Sequence, residues 1–232
     1  MSARIVQKIL YQEVADRLRA MIQSSELQAG EWIDETRLTE VLGISRTPLR
    51  EALKVLVGEG LLRIEPRRGC FVNELSSRDL DDIFPLMAML EGRCAYEAAR
   101  KASESDLQRL EPLHAQLREL ATAGDVDQYY AANARIHEAV QALADNRWLS
   151  DLIDNLRKVL SLSRHRSLTY AGRIHESCAE HLAIFAALKA HDPDEAEAVT
   201  RKHLMRQLDA LRALAAQEAS QSTEQQQPGA SS

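Results

Sequence analysis

The stretch Gly43-Ile44-Ser45-Arg46-Thr47-Pro48-Leu49-Arg50-Glu51-Ala52-Leu53 decides how the chain reads. Serine is a favoured helix cap, and Pro48 falls in the first turn after Ser45, where a missing N–H costs little. The segment therefore predicts a helix starting at Arg46. At about 100° per residue, Leu49, Leu53 and Leu56 share one side of it, while Arg46, Thr47, Arg50 and Lys54 occupy the adjoining side. One face is core and the other is cationic.

Upstream, Asp34 is a good N-cap for Glu35-Thr36-Arg37-Leu38-Thr39-Glu40-Val41-Leu42, whose Leu38, Val41 and Leu42 form an apolar face, and Gly43 suits the position just past a helix end. Earlier still, Ile9, Val14, Leu18, Met21 and Ile22 recur at helical intervals before the polar stretch leading to Gly30. Two short helices joined by a glycine turn are a helix-turn-helix, in which the second helix is offered to the DNA major groove. Downstream, Leu62-Arg63-Ile64 and Cys70-Phe71-Val72 are β-prone runs separated by Glu65-Pro66-Arg67-Arg68-Gly69, which predicts a hairpin wing. Such a wing brings Arg67 and Arg68 to the DNA backbone or an adjacent minor groove, and Gly69 is expected to let the chain approach it closely.

From Ser76 onward the pattern is helical, with breaks that predict six helices at about 78–101, 105–122, 125–144, 147–167, 173–190 and 193–216, an antiparallel bundle. The fold class is thus mainly α: a winged helix-turn-helix over 1–75, a six-helix body over 76–216, and a polar tail over 217–232 expected to be disordered. The body contains Asn133 and His137 four residues apart on one helix face, with His181 and His203 on later helices. Three imidazoles and an amide oxygen from separate helices suit a transition metal; scattered helix histidines are also commonly surface or capped core residues. His114, His165, His175 and His191 are assigned to that second group.

Composition narrows the function. The 232 residues carry 29 Lys and Arg against 35 Asp and Glu. The first 75 residues hold eleven of each sign, so the excess acid belongs entirely to the body. Three cysteines without CxxC spacing are expected to be small buried hydrophobes rather than disulfides or zinc ligands. No apolar run approaches the ~18 residues of a spanning helix, and no export signal follows the first residues, so a cytoplasmic protein is expected. A metal hydrolase would need a general base near the metal. HExxH is absent, and Glu180, beside His181, projects about 100° away from it on the same helix.

Leu27-Gln28-Ala29-Gly30-Glu31, the Ser45-to-Leu53 string and Glu59-Gly60-Leu61-Leu62 through Arg68-Gly69-Cys70-Phe71-Val72 resemble the winged-helix domain of GntR-family transcription regulators. The resemblance implies contacts to double-stranded operator DNA by Ser45, Arg46, Thr47, Arg50 and the wing at Gly69, with Arg37 added as a phosphate contact. Asn133 to His137, Glu180-His181-Leu182-Ala183-Ile184 through Asp192, and His203-Leu204 resemble the FCD effector domain of the FadR-like branch, in its VanR-type form. That likeness implies a divalent metal, zinc or nickel, on Asn133, His137, His181 and His203, holding a small carboxylate effector. Many relatives have Asp where this chain has Asn133, and an effector-binding Arg where it has Met87. Carboxylate recognition is then expected to rely on the metal or on another cation, such as Arg164 or Arg135, or the ligand is less acidic. The whole is expected to be a homodimeric, ligand-responsive regulator, acting as a repressor, with no catalytic residues and no membrane partner.

Overall fold

A computed structural model describes residues 3–24 and 26–225, without the side chains of 3–9, 164, 165 and 222–225. The expected positions of Ile9 in the first helix face and of Arg164 as a cation concern side chains outside that description, as do residues 226–232 of the tail. The chain divides into two units, residues 1–76 with 157–162, and 77–156 with 163–232.

In the first unit, α1 (Ala3–Gln23), α2 (Glu35–Leu42) and α3 (Arg46–Gly58) precede a hairpin of β1 (Leu62–Glu65) and β2 (Gly69–Val72). The sequence signals act as local chemistry requires. Asp34 caps α2 by accepting from the amides of Thr36 and Arg37, at 2.9 and 3.1 Å, and Gly43 ends the helix in the left-handed region at φ +64°. Leu18, Leu38, Leu49, Ala52, Leu56, Leu62 and Val72 are buried together as one core. In the hairpin Arg63 pairs with Phe71 and Glu65 with Gly69. The chain before α2 adds an outer rung, with Ile33 N donating to Cys70 O at 2.8 Å and Val72 N to Glu31 O at 2.8 Å. Near the C-terminal ends of α1 and α3, Arg19 clasps Glu59 through two bonds of 2.7 and 2.8 Å. Burial alone would raise the Glu59 carboxyl, and the Arg19 guanidinium overrides it to hold it below the usual carboxylate range.

The second unit contains α4 (Ser77–Lys101), α5 (Glu104–Ala123), α6 (Val126–Leu143), α7 (Arg147–Ser167), α8 (Arg173–Lys189) and α9 (Pro193–Gln225). These are the six expected helices. Ser103 and Asp106 form a capping box at the start of α5, and Asp125 caps α6 through the Gln128 amide. α4 packs along α9, α8 packs on α9, and α5 lies against α6 and α8. A Cβ on Gly92 of α4 would sit 2.6 Å from Arg201 Cγ of α9, so the two backbones approach here only because the side chain is missing.

Over residues 217–225, where the composition suggested a disordered tail, α9 continues to Gln225. The polar composition that suggested disorder is also rich in Ala, Glu and Gln, which propagate helix well, and extending a formed helix carries no nucleation cost. No helix among the described residues is long and apolar enough to cross a membrane. Cys94 and Cys178 are buried, Cys70 is half-buried, and all three are free thiols.

Candidate functional site

The reading face of the first unit begins where α3 begins. Ser45 occupies the N-cap position, at φ −79° and ψ 166°, yet its side chain makes no capping hydrogen bond. Its hydroxyl is therefore not spent on the helix. Pro48, Leu49, Ala52, Leu53 and Leu56 are buried, whereas Ser45, Arg46, Thr47 and Arg50 are exposed, matching the two faces expected. Arg50 Nε donates to Glu35 Oε2 at 2.9 Å across the α2 to α3 turn, and Lys54 donates to Glu51 at 2.9 Å. Arg46 has no ion pair among the described residues. Arg37 is exposed on α2, beside the capped first turn.

The wing differs from its expected form in one respect. Gly69 does have a left-handed backbone, φ +111°, but the space its side chain would fill is taken by Trp32, whose Nε1 lies 2.7 Å from where a Cβ would stand. The close approach at this glycine is made by the indole. Arg67, at φ +64°, turns the tip, and Arg68 is bound back to Glu65 and stacked 5.4 Å over the Phe71 ring. The two tip cations are thus unequal, since Arg67 has no ion pair among the described residues.

In the second unit the three histidines chosen from sequence converge. His137 of α6, His181 of α8 and His203 of α9 place ligand-capable atoms within 4.8 Å of one another. Their ring centroids are 4.6 to 5.5 Å apart, and all three are buried. Asn133 is buried one turn before His137, and its Oδ1 has no hydrogen-bond partner. Neither nitrogen of His181 has one, nor does Nε2 of His203. Burial above all, reinforced by the neighbouring imidazoles of His203 and His137, pushes His181 well below the ordinary histidine value, so it is neutral at pH 7.

Carboxylates orient two of the rings. His137 Nδ1 lies 2.7 Å from Glu91 Oε2 of α4, and His203 Nδ1 donates to Glu180 Oε2 at 2.6 Å. With Nδ1 held by a carboxylate, each ring keeps Nε2 as its ligand-capable nitrogen, the arrangement that fixes a metal-binding tautomer. Glu180 in turn accepts from Arg173, at 3.1 and 2.7 Å, and from Arg206 at 3.0 Å. Burial would raise the Glu180 carboxyl, and the hydrogen bonds from His203 and Arg173 overcome it, holding it down to about 2.

Sequence reading named Glu180 only as a base turned away from His181, and did not find Glu91 or Arg173 as parts of this centre. Arg135, proposed as its cation, is exposed on α6 and donates to Gln116 at 2.9 Å. It stands two residues before His137 and therefore about 200° around the helix, on the outer side. The buried cation beside the histidines is Arg173, 1% exposed. Met87 is fully buried on α4. Of the remaining histidines, His114 stacks on Phe185 with Nδ1 2.9 Å from Leu110 O, His191 bonds Ala99 O at 2.9 Å, and His175 is exposed.

A helix-turn-helix with a cationic reading helix, followed by an all-helical domain with a polar centre, defines a ligand-responsive DNA-binding regulator. Residues 10–72 match the family "Bacterial regulatory proteins, gntR family", and residues 82–206 match the FCD domain. The chain belongs to the GntR family of bacterial transcriptional regulators that carry an FCD effector-binding domain. It is 28% identical over 188 residues to the HTH-type transcriptional regulator YdhC of Bacillus subtilis, covering 81% of this chain and 84% of that one. It is 27% identical over 201 residues to the HTH-type transcriptional repressor RspR of Escherichia coli, covering 87% and 88%. Among solved structures, E. coli McbR/YncC superposes with a TM-score of 0.78 at 25% identity, over 88% of this chain and 98% of that one. These are regulators and not enzymes.

Proposed function

We propose that the protein is a metal-dependent, effector-responsive repressor that binds a two-fold symmetric operator as a homodimer in the cytoplasm. The observation that carries the effector half is the convergence of His137, His181 and His203, with Asn133 one turn away, from three helices onto one buried centre. The donor set fits a divalent transition metal, zinc or nickel. The imidazole of His181 is neutral, His203 has a buried Nε2 without a hydrogen-bond partner, and the Asn133 oxygen lacks a donor. Left as they are, such buried atoms cost about 1–3 kcal/mol each. A metal bound there supplies a Lewis-acidic point to which a carboxylate can attach.

The chain's own residues do the rest. Glu91 and Glu180 hold the imidazoles in register, Arg173 neutralises Glu180, and the neutral Asn133 leaves the charge of the ion to be balanced by an anion from outside. That favours a small organic acid as effector. The homodimer is supported by specificity, since one winged head touches only a few base pairs, and the repressor reading by the name of RspR. Six body helices, α4 to α9, support a place in the VanR-type group of the FadR-like branch.

Metal analysis of wild type and His181→Ala, with DNA titrations at fixed salt, tests the reading. The expected result is stoichiometric metal in wild type and loss of both metal and effector response in the variant, with operator affinity retained. A metal-free protein indifferent to chelator and added metal overturns it. Metal that alters DNA binding with no organic acid present makes the ion itself the signal.

A further inference from the structure

We infer that Trp32 is the positioning residue of the wing, fixing the direction in which Arg67 is presented to DNA by filling the side-chain space of Gly69. Trp32 lies in the outer rung, bridged to Phe71, and Phe71 is itself paired with Arg63, so the three residues stand in one cross-strand row on one face of the sheet. Arg63 and Arg68 lie over the Phe71 ring at 5.5 and 5.4 Å. Two residues further toward the tip, at Gly69 on the same face, the indole edge occupies the place of the missing Cβ, with Nε1 at 2.7 Å and Cδ1 at 3.4 Å from it. A large aromatic side chain left 52% exposed is an expensive way to fill space in a monomer. Here it props the hinge of the tip. Arg68 is tied to Glu65 and Phe71, Gly69 is held under the indole, and between the fixed ends of strand and turn Arg67 is the cation with no ion pair among the described residues. Without the indole the glycine at φ +111° regains its freedom and the tip can swing.

The inference is independent of the metal and concerns only DNA reading. Its test uses the full chain and a duplex enriched by the wild-type protein from a random-sequence pool, titrated over a salt series. Trp32→Ala is expected to weaken binding about ten-fold and to reduce the salt slope by about one, the signature of one lost phosphate contact. Arg67→Ala should produce the same loss of slope, and adding it to Trp32→Ala should change the slope no further, because both remove one contact. Trp32→Phe, which keeps a ring over Gly69, should stay within about two-fold of wild type. Gly69→Ala provides a second route that leaves the tryptophan in the chain: its Cβ must expel the indole, and the same slope should be lost. Circular dichroism identifies any variant that has failed to fold, in which case Gly69→Ala decides. An unchanged salt slope in both Trp32→Ala and Gly69→Ala, or losses from Trp32→Ala and Arg67→Ala that simply add, overturns the inference.

Discussion

The two units handle charge in opposite ways. In the first, apart from the half-buried Arg19–Glu59 pair, charged side chains lie at the surface and neutralise one another in pairs, as Arg50 does with Glu35 and Arg68 with Glu65, while Arg46 and Arg67 have no ion pair among the described residues. In the second, Glu91, Glu180 and Arg173 are buried among three imidazoles. Surface pairs contribute little and can be exchanged for a phosphate at small cost, whereas a buried pair is weakly stabilising when whole and strongly destabilising when broken. A unit that meets DNA needs the first kind of charge. A unit that must recognise a small molecule within its core needs the second.

The comparison can be broken most forcefully at Arg173. Arg173→Met leaves Glu180 buried with only His203 and the half-exposed Arg206, and should destabilise the helical unit by about 3 kcal/mol in denaturant unfolding followed by circular dichroism. No loss would mean that Glu180 takes a proton instead. On the surface side, Arg46→Ala should weaken operator binding by about 1–3 kcal/mol, with the larger effect on specific than on random DNA. Arg50→Ala should cost less, since Arg50 must first give up Glu35 in the free protein. Equal losses for the two arginines would show that the ion pair has no weight.

Acid should separate the units. His181 is held neutral in the folded state, so the unfolded chain takes up the proton first, and the helical unit should lose stability as pH falls below about 6.5. Glu59 in the first unit is held below the ordinary carboxylate value; its contribution is complete above about 4.5 and is lost only as pH falls further. Thermal scans of metal-free protein between these values should show the helical unit weakening first, and simultaneous loss would contradict the contrast. The smallest effect belongs to a cap. Asp34→Ala should cost about 1 kcal/mol in the first unit and leave the second unchanged by the same unfolding measurement.

What the sequence made legible was local. Asp34, Gly43 and Pro48 act on their immediate neighbours, and each sits where its own chemistry places it. His137, His181 and His203 were identifiable because a resemblance linked positions that spacing alone could not. Glu91 and Arg173 escaped because a charged residue in sequence is presumed solvated until its tertiary partners are known, and Glu180 because the angle that turns it from His181 says nothing of His203 on another helix. Trp32 escaped for a related reason: its proximity to Gly69 depends on strand register across 37 residues of chain. Arg135 could have been rejected from the helical angle that admitted Asn133, and the end of α9 from its content of helix formers.

The start of α3 carries a trade-off for anyone wishing to engineer this regulator. A helix whose N-cap hydroxyl is left uncommitted forgoes about 1 kcal/mol that a capped serine or aspartate ordinarily provides. A thermostabilising search would soon arrive at Ser45→Asp, which caps the helix and suits its dipole, and would also set a negative charge against the phosphates of the operator. Where Ser45 serves as the operator contact that the resemblance implies, robustness and recognition compete for its one hydroxyl oxygen, and selection for a hardier protein would run against DNA reading.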